Sequence, residues 1–217
     1  MSSNSGSAAT DEPVVPRGFS LGMPPGFIAL PLDEDQIHST DFCDPFLEDV
    51  GKQFSLESGG DHAAATAAAF AELGMTIGGS GVDYAAVAYY KSPEDPLRPI
   101  MVTVTGLTMP SSHGDQETAV AGLYEIHKNE GRGTPTLMEL PVGPAVALAI
   151  QDKNFISVGS ERDPVLTRQF SAWIPDPDGT AIGVVSVLSN SWRDWDRVCV
   201  LGVEIFDTFQ WEPIGVG

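Results

Sequence analysis

Apolar and polar positions alternate most regularly between residues 165 and 188. In 165–174, Leu166, Phe170, Ala172 and Ile174 share one face, and Thr167, Gln169, Ser171 and Trp173 share the other. This two-residue period predicts a strand with one solvated side. Segment 181–188 is apolar on both faces, which predicts a central strand. Between them, 175–180 contains Asp178-Gly179, a strong hairpin signal. The period then lengthens. In 194–210, Trp195, Val198, Cys199, Gly202, Phe206 and Phe209 form one stripe, widened by Leu201 and Ile205. That spacing predicts a closing helix packed over the hairpin.

The earlier chain reads the same way. A short strand is expected at 27–32, bounded by prolines that suit an edge. Asp33 followed by Gln36 has the pattern of a capping box, so a helix should start at Glu34, and Pro45 should break, kink or restart it. Alanine dominates 61–73, a helix expected to begin at Asp61 and stop at Gly74. Segments 82–90 and 100–107 predict an antiparallel hairpin. Ser112 and Asp115 should open a helix that ends at Gly131 and repeats Val120, Leu123 and His127 on one face. Strands follow at 136–140 and 145–151. In the second, Val146, Leu148 and Ile150 face away from three alanines, and the alanine side suits cover by helices. The first 18 residues are rich in Ser, Ala, Pro and Asp and predict a disordered tail.

The resulting expectation is one α+β domain over 19–217: an antiparallel sheet of about six or seven strands covered by helices. Composition adds a constraint on partners. Thirty acidic against eleven basic side chains give a formal net charge of −19. No basic cluster exists to displace counterions from phosphates, so nucleic acid is disfavoured, as is an anionic membrane surface. Cys43 and Cys199 lie far apart in apolar helical patterns and predict buried free thiols. No basic-then-apolar leader and no span of about 20 apolar residues is seen, so the expected location is cytoplasmic.

Candidate chemistry is sparse. His38, Asp41, Cys43 and Asp44 are metal-capable, yet no paired-ligand motif accompanies them, and an acidic solvated helix explains them. Asp176, Asp178 and Thr180 look like the start of a calcium loop without its closing Glu, and a turn accounts for all three. Ser111, Ser112 and His113 lack a nucleophile elbow, so a serine helix cap is the simpler reading. His62 and His127 read as a helix-cap neighbour and a partly buried helical residue. Gly78–Gly81 lacks the Lys-Ser/Thr ending of a phosphate loop. No cofactor and no catalytic residue is expected.

One asymmetry stands out. Across 33–61 there are nine carboxylates and a single basic residue, Lys52. Asp33, Glu34, Asp35, Asp41, Asp44, Glu48, Asp49 and Glu57 are therefore the candidate partner-binding residues, attractive to a protein with a basic face and sensitive to salt.

The stretch Gly26-Phe-Ile-Ala-Leu-Pro-Leu32, the middle Leu140-Pro-Val-Gly-Pro144 and the terminal Phe206, Phe209 and Trp211 together resemble a group of uncharacterised small actinobacterial α/β proteins with the PsbP/Mog1-like α/β/α sandwich. That resemblance implies an antiparallel sheet with helices on both sides, and a binding or assembly role rather than catalysis. The expected function is a non-catalytic binding module, an accessory or chaperone of a secretion assembly or an immunity protein for a basic toxin. Two other classes stay open. A hydrolase or metalloenzyme would need His38, Asp41 or His113 to meet distant residues, and a structural subunit would assemble through sheet edges or apolar patches.

Overall fold

A buried aspartate and a glycine turn the chain at the centre of the sheet. Gly179 adopts φ 77°, and the Asp176 carboxylate accepts the Asp178 N–H at 3.2 Å and the Thr180 hydroxyl at 2.7 Å. Strands β7 (Glu161–Pro175) and β8 (Ala181–Ser189) leave this turn antiparallel, with Phe170 opposite Val187 and Trp173 opposite Val184. The computed structural model describes residues 17–54, 61–95, 97–158 and 161–213, except the side chains of 61 and 152–166. Most of the expected tail, residues 1–16, therefore lies outside the described residues.

The remaining strands are β1 (Phe19–Ser20), β2 (Ile28–Ala29), β3 (Tyr84–Lys91), β4 (Pro99–Pro110), β5 (Gly133–Leu140), β6 (Gly143–Val158) and β9 (Gln210–Trp211). Among the described residues, β7, β8 and five of these form one antiparallel sheet in the order β2-β3-β4-β8-β7-β6-β5. β8 is fourth of the seven and buried on both faces, the central place that its sequence predicts. The helices are α1 (Glu34–His38), α2 (Thr40–Phe54), α3 (Asp61–Gly78), α4 (Gln116–Glu130) and α5 (Trp195–Phe206). The architecture is an α+β sandwich with helices on both sides of the sheet.

On one face α5 packs with Ile100, Val102, Val104, Ala172, Ile174, Val185 and Val187. Gly202 makes this approach possible, since a Cβ there would stand 2.8 Å from the Phe170 ring. The first residues of the domain cover the same face: Phe19 stacks on Phe209 at 5.4 Å and lies against Gly106. The opposite face carries α2 and α3 over Ile28, Ala85 and Val87. It also carries α4, whose His127 meets Trp173 at 4.2 Å. Val146 pairs with Trp173 and shares that face, whereas Ala145 belongs to the cluster under α5. Both sides of β6 are thus covered, the branched side as well as the alanine side.

Several details differ from the sequence expectation. The helix from Glu34 breaks at Ser39, whose extended backbone (ψ 122°) caps α1 and whose carbonyl accepts the Cys43 N–H at 2.8 Å. Pro45 instead sits inside α2. It and Asp41 are exposed, so water can take the Asp41 carbonyl that a proline cannot serve.

The alanine-rich helix passes Gly74 and runs to Gly78. A Cβ at Gly74 or Gly78 would strike the carbonyl oxygen of Pro31 or Leu32. These glycines allow close packing and do not stop the helix.

The last helix ends at Phe206. Thr208 there donates to the Gly22 carbonyl at 3.0 Å, and Gln210–Trp211 becomes a strand paired with Phe19–Ser20.

Gln169, Ser171 and Ser186 are not a solvated side. The two hydroxyls lie 2.7 Å apart and are buried, and the Gln169 amide donates to both. Finally, Arg17 and Gly18 belong to the folded unit: the Glu212 N–H donates to the Gly18 carbonyl at 2.9 Å.

Candidate functional site

α2 is held by a stripe of apolar side chains at every fourth position: Phe42, Phe46, Val50 and Phe54. Phe46 and Val50 are buried. The Phe54 ring meets Phe70 of α3 at 5.6 Å and Tyr89 of β3 at 5.4 Å. With that stripe turned inward, helical geometry sends the other face to solvent. Asp41, Asp44, Glu48 and Asp49 are all exposed there, beside a half-exposed Leu47.

α1 carries further acids. Asp33 caps it, accepting the Gln36 N–H at 2.8 Å, while the Gln36 side chain takes the Leu32 N–H at 2.7 Å. Glu34 and Asp35 fill its first turn, where negative charge complements the positive helix end. All three carboxylates are exposed. Six of the eight predicted partner-binding residues thus lie on two consecutive helices, Asp33 caps the first, and Glu57 falls outside the described residues.

Lys52 is the one basic residue in this stretch, and its ammonium pairs with Glu48 at 2.7 Å. The hydrogen bond and charge of that pair hold Glu48 below the usual carboxylate range and Lys52 above the usual amine range. Both are exposed, so the pair adds little to stability. Asp35, Asp41, Asp44 and Asp49 take part in no ion pair among the described residues. The surface is therefore a field of exposed negative charge on a well-anchored support.

The other candidates do not converge. His38 ends α1, and the break at Ser39 separates it from Asp41, Cys43 and Asp44. Among the described residues no three His, Cys, Asp or Glu side chains gather where they could hold a metal ion. Cys43 and Cys199 are free thiols and half-buried rather than fully buried, and burial pushes the Cys199 thiol up. His62 is exposed on α3. His127 is buried against Trp173 with neither ring nitrogen hydrogen-bonded, its Nδ1 3.5 Å from a Glu130 carboxylate oxygen.

Ser111 and His113 do meet, with Oγ 3.0 Å from Nδ1. His113 Nε2 lies 2.9 Å from the Asp176 carbonyl, and the backbone N–H groups of Ser111 and His113 reach Thr180 and Gly179. Nε2 and the two backbone N–H groups thus fasten the β4–α4 connection to the β7–β8 turn, while Nδ1 bonds within the connection.

The calcium-like residues of that turn are likewise internal. Burial alone would raise the Asp176 carboxyl, but the Thr180 hydroxyl, the Asp178 N–H and the Arg17 guanidinium outweigh it and hold the group below its usual range. Arg17 bridges Asp176 at 2.6 Å and Asp178 at 2.7 Å, and its Nε reaches the Glu212 carbonyl. Composition hides this residue, because a single arginine after a polar run reads as tail.

No family model matches the chain, and no curated protein matches its sequence. Among solved structures, the chain is similar to the crystal structure of LpqN, involved in cell envelope biogenesis of Mycobacterium tuberculosis, with a TM-score of 0.44 and 11% identity. The match covers 94% of this chain and 88% of that one. No helix of the described residues is long and apolar enough to cross a membrane.

Proposed function

We propose that this chain is a non-catalytic, cytoplasmic binding protein that recognises a basic partner protein through the outer face of α1 and α2. The observation that carries the reading is the division of α2 into two faces. On one face Phe46 and Val50 are buried and Phe54 packs on Phe70 of α3 and Tyr89 of β3, while on the other the acidic residues stand in solvent. Packing needs none of those acids. Their mutual repulsion works against folding, and a basic partner would relieve it. The role fits an accessory protein of a secretion assembly or an immunity protein masking a basic toxin, built on a PsbP/Mog1-like sandwich.

The test is affinity capture from the native host with the full chain as bait, at low salt and at about 1 M salt, where charges are screened beyond about 3 Å. A basic protein should be retained at low salt and released at high salt. Retention of nothing at low salt, or of a partner indifferent to salt, would overturn the proposal.

A further inference from the structure

A second surface has the opposite charge. Where α5 leaves the sheet near the β3–β4 hairpin, a cavity of about 380 Å³ opens, within the size range of small-molecule sites. Its walls are mostly apolar, from Tyr90, Ile100, Val102, Val198 and Leu201. Ile100, Val102 and Val198 are buried residues of the core, so the cavity reaches down to the sheet.

Two cations line the same cavity, Lys91 and Arg197, both exposed. The chain has 30 acidic and 11 basic side chains, and four of the described cations, Arg17, Lys52, Arg98 and Lys128, pair with a carboxylate. Lys91 and Arg197 have neither an ion pair nor a hydrogen bond among the described residues.

The acid in the cavity wall, Asp194, does not answer them. It is buried and already satisfied by Arg98 at 2.9 Å, Ser191 at 2.8 Å and Ser92 at 3.2 Å. Glu204, whose charge helps to raise the Tyr90 phenol after burial does, lies two turns of α5 beyond Arg197.

We infer that this cavity binds a monomeric amphiphile with an anionic head, a medium-chain carboxylate being the simplest example. Its alkyl chain lies against Tyr90, Val102, Val198 and Leu201, and its head pairs with Arg197 and Lys91. Burying each methylene is favourable, and a guanidinium matches a carboxylate in shape and charge. The inference is independent of the acidic surface on α1 and α2, which stands or falls separately.

The experiment is calorimetric titration of the full chain with decanoate below its micelle concentration, beside acetate and a neutral decyl glycoside. Decanoate should bind, and both comparators should bind at least about tenfold more weakly, because each lacks one of the two recognised parts. Replacing both exposed cations (K91Q with R197Q) should weaken decanoate at least about tenfold without changing the melting temperature. Filling the cavity with Leu201→Trp should abolish binding. No heat with decanoate, equal affinity for the neutral glycoside, or full affinity in the double variant would overturn the inference. Co-sedimentation with anionic phospholipid vesicles would overturn it as well, in favour of a membrane surface.

Discussion

α5 and α2 are both amphipathic helices, yet they relate to the sheet in opposite ways. α5 lies directly on β7 and β8. Gly202 admits the Phe170 ring, Phe206 meets that ring at 5.2 Å, and Ile205 and Phe206 are wholly buried. Its outer face mixes both signs of charge, Asp196, Arg197 and Glu204, with the exposed Val200 and Val203. α2 contacts β2 and packs chiefly on α3, and its outer face is a run of acids. The difference teaches which side of each helix the fold depends on. Substitutions inside α5 should unfold the protein, whereas substitutions outside α2 should change only what it binds.

The largest loss should follow Phe206→Ala, which empties a fully buried ring position and should cost about 3–5 kcal/mol in urea unfolding. Gly202→Ala comes next. It drives a methyl into Phe170, at about 1–3 kcal/mol, although alanine is the better helix former.

The turn comes third. Asp176→Asn removes the charge facing Arg17 while keeping much of the hydrogen bonding, and should cost about 1–3 kcal/mol at neutral pH. The folded Asp176 sits below the usual carboxylate range, so its contribution is complete above the unfolded value of about 4 and lost as pH falls through the folded one. Acid unfolding curves of the wild type and the Asn variant should therefore converge at low pH. A constant gap would sink the assignment.

Smallest is the acidic face. Neutralising Asp41, Asp44, Glu48 and Asp49 should move stability by no more than about 0.5 kcal/mol per site, and upward where repulsion is relieved.

The sheet was legible because strand alternation and the Asp178-Gly179 turn are local signals. The seven strands and the central place of β8 follow from which runs are apolar on one face or both. What escaped is long-range. Gly74 looks like a helix stop until Pro31 is seen against it, since local sequence cannot separate a capping glycine from one that admits a neighbour. Phe209 keeps the helical spacing of the stripe, yet the helix ends at Phe206, where Thr208 bonds Gly22 and Gln210–Trp211 pairs with Phe19–Ser20.

The acidic surface was legible for the same reason as the strands: its residues are consecutive, and exposure follows from the ring stripe behind them. The cavity with Lys91 and Arg197 was not, because its walls come from three separated parts of the chain. No spacing within one of them marks it.

The division between a folding face and a binding face is tested most directly by capture from host extract at low salt, comparing the wild type with the variant neutralised at Asp41, Asp44, Glu48 and Asp49. If the outer face of α1 and α2 carries recognition, the wild type should retain a basic protein that the equally stable variant loses. Equal retention by both would contradict it.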